Sequence, residues 1–122
     1  MSTLTKLATI SIDCADPMAL AAFYRHATGW ELTDNGPEFA ALSAGPDGPG
    51  LAFVHVPGYH APEWPEGAKY LHLDFTVAGL DRAVTELLEL GAARPEFQPG
   101  DGEWVVLTDP EGHPFCLVPA AS

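Results

Sequence analysis

In Tyr70-Leu71-His72-Leu73-Asp74-Phe75-Thr76-Val77 an imidazole and a carboxylate stand two residues apart, so any extended backbone puts them on one side. A histidine so placed can serve as general acid, general base or metal ligand, and Asp74 can orient or polarise it. The plainer alternative is a hydrogen-bonded histidine in a pocket that only binds. Cys116 is the second candidate. Beside a histidine its thiolate would be a nucleophile, although a cysteine in a strand is more often a small buried hydrophobe. Tyr70 shares the parity of His72 and adds a ring to the same side. Cys14 falls on an apolar alternation and is assigned to the core. The two cysteines form no spacing motif, so both are expected as free thiols. His55 has the parity opposite Val54, while His60 and His113 fall in a connector and a turn, so none of the three is assigned to a site.

The elements that must position these groups can be read from periodicity. Leu71, Leu73, Phe75 and Val77 give the strand around His72 one apolar face. The helix predicted after it carries Leu80, Val84, Leu87 and Leu88 as far as Gly91. Earlier in the chain, Ala8, Ile10, Ile12 and Cys14 alternate with Leu7, Thr9, Ser11 and Asp13 as in a half-buried strand. Asp16-Pro17 then offers an N-cap and a first-turn proline. A helix with Leu20, Phe23, Tyr24 and Ala27 as its buried stripe should end near Gly29. Further strands are read at Phe39 to Leu42, Leu51 to Val56, Trp104 to Leu107 and Phe115 to Val118. Gly45 to Gly50 and Asp109 to Pro114 are the turns between them.

The two halves repeat each other. Phe53 and Phe115 stand 62 residues apart, as do Gly29 and Gly91. The reading is α+β: two tandem βαβββ modules, about 5–57 and 68–119, joined by a Pro-rich connector at about 58–67. Side by side they make a curled mixed sheet around a cleft, lined by positions that alternate away from the helices.

Composition narrows the partners. At 122 residues the chain is one domain's worth, long enough to bury roughly two thirds of its unfolded surface without staples. A formal charge of −12, with only five Lys and Arg, would repel phosphates, so neither nucleic acid nor an anionic membrane is expected as a partner. No apolar run approaches the ~20 residues of a membrane span, and Lys6 precedes no signal-like segment. The expected location is cytoplasmic.

With the repeat in view, the chain resembles the vicinal oxygen chelate superfamily, in its glyoxalase-like and bleomycin-resistance-like branch. The resemblance rests on Asp16-Pro17 with Phe23-Tyr24 and Thr28-Gly29-Trp30, and on His72 to Val77 followed by a helix to Leu90-Gly91-Ala92. Asp109-Pro110-Glu111-Gly112-His113-Pro114 before the last strand completes it. It implies a homodimer, and a cleft in which metal-using members hold an ion at four positions that map here to Thr9, Val54, His72 and Cys116. Of these, His72 is a usual ligand, Thr9 a poor one, Val54 none and Cys116 a soft donor, short of the three protein ligands of a catalytic zinc site. The expected function is therefore a small-molecule-binding protein with a degenerate metal site and no cofactor. Its organic ligand would be held by Thr9, Asp13, Trp30, Val54, Tyr70, His72, Asp74, Trp104 and Cys116. The alternative is a divalent-metal enzyme of lyase, isomerase or dioxygenase type using His72 and Cys116, with His72 the leading catalytic candidate.

Overall fold

The computed structural model describes residues 3–4, 6–46, 48–67 and 71–120. They fall into two compact units, Met1–His60 and Ala61–Ser122. The class is α+β, with a mixed sheet and one helix in each unit.

The first unit runs β1 (Thr9–Cys14), α1 (Pro17–Thr28), β2 (Glu31–Asn35), β3 (Phe39–Ser43) and β4 (Gly50–His55). Its four strands are ordered β1-β4-β3-β2. β1 lies parallel to β4, the connection between them running through α1, β2 and β3, and the other pairings are antiparallel. The helix starts where the sequence says it should. Asp16 takes extended dihedrals, and its Oδ1 accepts from the Ala19 N–H at 3.1 Å. Such a cap is worth about 1 kcal/mol. Gly29, at φ 76°, ends the helix by donating its N–H to the Arg25 carbonyl at 2.8 Å. Leu20, Phe23 and Tyr24 are buried as expected, and Tyr24 stacks on Phe53 at 5.4 Å between centroids. Ala27 is exposed, contrary to expectation. The stripe continues instead through Thr28, whose hydroxyl turns back onto the Tyr24 carbonyl at 2.6 Å.

The second unit runs β5 (Leu73–Val77), α2 (Leu80–Leu90), β6 (Val105–Thr108) and β7 (Pro114–Pro119), in the sheet order β5-β7-β6. β5 is parallel to β7, and β6 antiparallel to it. α2 begins at Gly79, which has no side chain to cap it, and ends at Gly91, φ 118°; Ala92 donates to Leu87 across that end. Val84 and Leu87 are buried and Leu80 half-buried. Leu88, expected in the same stripe, is 40% exposed because the helix rests on the Leu80–Val84–Leu87 line and Leu88 lies to one side of it.

Two further expectations are corrected. The strand read from Tyr70 begins at Leu73, so His72 precedes it, and Tyr70 lies outside the described residues. The module's expected second strand is reduced, among the described residues, to one antiparallel bridge between Ala93 and Thr108. Pro95 and Pro99 explain the loss, since proline has no N–H to give a ladder. A side chain takes over. The Gln98 amide accepts from the Val106 N–H at 2.9 Å and donates to the Val106 carbonyl at 2.8 Å, as a facing peptide group would, and it also reaches the Pro95 carbonyl at 2.9 Å.

Candidate functional site

In the second sheet, register decides which side chains meet. Asp74 pairs with Cys116, and Cys116 with Val106, so these three form a row across the face turned away from α2. Leu73, Phe75, Phe115 and Leu117 take the opposite parity, and Phe75 meets Phe115 edge-on at 5.9 Å. That anchors the apolar face and leaves the other to polar groups.

His72, one residue before β5, turns its ring to Asp74, with Nε2 3.1 Å from Oδ1. The carboxylate can only accept, so Nε2 carries the proton and Nδ1 is left with its lone pair when the ring is neutral. Both side chains reach solvent, at 36% and 60% exposure, whereas Cys116 is buried. One donor atom from each of His72, Asp74 and Cys116 lies within 4.8 Å of the other two. The sequence offered two donors at the mapped positions; register adds a third, Asp74. A nitrogen, an oxygen and a thiolate suit zinc better than oxygen-seeking cations, and three protein ligands with an open position is the zinc arrangement that supports catalysis. The donor set therefore fits such an ion with the His72 ring neutral.

Beside this cluster lies a cavity of about 80 Å³, lined by Trp64, His72, Pro99, Trp104, Val106, Pro114 and Cys116. Trp104 can lie along the backbone there because residue 100 is glycine; a Cβ at Gly100 would stand 2.6 Å from the indole Cδ2. Val106 is fixed by Gln98. Pro114 and Cys116 are aimed by the turn before β7. The buried Asp109 carboxylate accepts there from the N–H groups of Glu111 at 2.9 Å and His113 at 3.1 Å, and from His113 Nδ1 at 2.8 Å. His113 thus acts in the turn.

The structure brings His72, Asp74, Trp104 and Cys116 together in this one unit. It places Thr9, Asp13 and Val54 on the helix-free face of the first sheet, where Val54 stands in register with Asp13 on one side and Phe39 on the other. Trp30 sits at the α1–β2 junction, its N–H donated to the Thr28 hydroxyl at 3.1 Å. Cys14 is fully buried and both cysteines are free thiols, as read. Pro99, Val106 and Pro114 were missed as lining. For Val106 and Pro114 the signal was present, since they share the parity of Trp104 and Cys116.

Residues 9–118 match the family model of the glyoxalase-like domain. Solved structures agree on the fold. A glyoxalase/bleomycin resistance protein/dioxygenase family enzyme from Burkholderia phytofirmans PsJN superposes with a TM-score of 0.74 at 19% identity, over 96% of this chain and 100% of that one. The trypanothione-dependent glyoxalase I of Leishmania major gives 0.71 at 17%, over 95% and 87%. A glyoxalase-related enzyme from Fulvimarina pelagi gives 0.68 at 23%, over 96% and 89%. No curated protein matches the chain. Among the described residues no helix is long and apolar enough to cross a membrane.

Proposed function

The chain belongs to the glyoxalase-like domain family of the vicinal oxygen chelate superfamily, and from that premise we propose that it binds a small organic molecule with its second unit. The observation that carries this is the lining of the cavity. Two indoles, two prolines and Val106 surround a thiol and one hydrogen-bonding ring, the mostly apolar wall with few polar groups that binds organic ligands. Its volume of about 80 Å³ is that of two to three waters, at ~30 Å³ each. Sites that enclose drug-sized ligands hold ~300–1,000 Å³, so this cavity takes one end of a ligand. His72 and the Cys116 thiol are the polar groups at that end, with Asp74 hydrogen-bonded to the His72 ring. The mapped ligand positions Thr9 and Val54 bring a hydroxyl and no donor, the sense in which the metal site is degenerate. The same reading takes the protein to be a cytoplasmic homodimer.

A second reading rests on the His72, Asp74 and Cys116 donors. If these hold a divalent ion, it would polarise a substrate oxygen or acidify a bound water, and the protein would be a lyase, isomerase or dioxygenase. Around it, the two indoles would orient the substrate and keep water out.

One set of measurements separates the two. A thermal-shift screen of planar organic compounds should yield a stabiliser adding about 2.7 kcal/mol at a hundred times its dissociation constant. Its effect should be lost in His72→Ala. Zinc content after incubation and dialysis should stay below about a tenth of an equivalent. A stoichiometric ion that disappears with His72→Ala or Cys116→Ser would replace the first reading by the second. An absence of any His72-dependent stabiliser would remove the first.

A further inference from the structure

A separate groove of about 440 Å³ opens beside the connector, lined by Trp64, Pro65, Glu66, Pro95, Glu96 and Phe97. Its two aromatic rings are in contact: the Trp64 and Phe97 centroids are 5.7 Å apart with the ring planes tilted at 54°. Phe97 is 52% exposed, a large apolar surface held at the rim of a groove. Glu66 and Glu96 line the same groove, and among the described residues neither is ion-paired with a lysine, arginine or histidine. Aromatic faces are negative at their centres, and two carboxylates add to that potential.

We propose that this groove is a binding site for a small organic cation, an alkylammonium or quaternary ammonium group seated against Trp64 and Phe97 with Glu66 and Glu96 as its counter-charges. A hydrated inorganic cation would gain little from the rings. A neutral aromatic would gain nothing from the carboxylates. An organic ammonium uses both, and an excess of 17 acidic over five Lys and Arg residues favours its approach. The site shares Trp64 with the His72 cavity but does not depend on what that cavity binds.

The probe is choline, set against 3,3-dimethylbutan-1-ol, which has its shape without its charge. Binding is followed through the indole N–H resonances of the intact protein, with Trp64 assigned by Trp64→Phe. Choline should move the Trp64 signal saturably, and the alcohol should bind about fivefold to tenfold more weakly. Phe97→Leu should weaken choline several-fold. The doubly neutral Glu66→Gln, Glu96→Gln variant, altered only at exposed positions, should weaken it about tenfold while its melting temperature stays near that of the parent. Equal shifts by choline and the alcohol, no shift by either, or undiminished choline binding by the neutralised variant would each overturn the proposal.

Discussion

The two units begin alike, with a strand, a helix and a parallel return to the first strand, and diverge in the stretch immediately after the helix. In the first, β2 is a full strand of five residues with a bulge between Leu32 and Asp34, and it completes a four-stranded ladder. In the second, the same stretch holds two prolines and contributes a single bridge and the Gln98 amide. At β2 the first unit meets its ladder needs with backbone pairing. The second meets part of them with a side chain, and the irregular segment that results supplies Pro99 to the cavity wall, Gly100 against Trp104, and Pro95 to Phe97 to the groove. Chemistry has gathered in the unit with the less complete ladder, where loop atoms rather than strand atoms can be shaped around a ligand.

The largest test of this contrast is in the first unit's core. Phe53 is fully buried under Tyr24, and Phe53→Ala should lower unfolding free energy by about 3–5 kcal/mol in urea titrations. A loss below about 1 kcal/mol would mean that this core does not carry its unit. Next comes Gln98→Ala, which removes partners from three backbone groups and should cost about 1–3 kcal/mol. Hydrogen exchange of the Val106 amide should speed up in this variant while β3 and β4 amides keep their rates. Uniform acceleration would show that the clasp is not local. The smallest effects separate the helix starts. Asp16→Ala should cost about 1 kcal/mol, whereas Gly79→Asp should gain a few tenths. The gain is available because Gly79 already has φ −132° and a Cβ there would meet only Arg82 Cβ, at 3.9 Å.

How legible all this was depended on side-chain alternation. Leu73, Phe75 and Val77 against Asp74 and Thr76 fixed the faces of β5, so His72 and Asp74 could be put on one side from residues alone. Cys116 came from the positions mapped by the family resemblance, and its pairing with Asp74 is a matter of register that only the sheet shows. The sequence Glu31-Leu32-Thr33-Asp34-Asn35 has no such alternation. It is a strand because β3 offers it an edge, which is tertiary context. Gln98 was illegible for a related reason, since a glutamine between two prolines gives no local sign that it will pair with a peptide group eight residues on. Leu88 misled because hydrophobicity marks what can be buried, and only the angle of α2 on its sheet decides what is.

The Gln98 clasp has one more consequence. The outer margin of β6 is where an unrelated extended chain could add itself to the second sheet, since β6 pairs with β7 on its other side. An incoming strand would find the Val106 N–H and carbonyl already engaged, Thr108 bonded both ways to Ala93, and prolines at 95 and 99 that donate nothing. The margin is closed to templated growth by its own chain, without a partner strand and without an added charge.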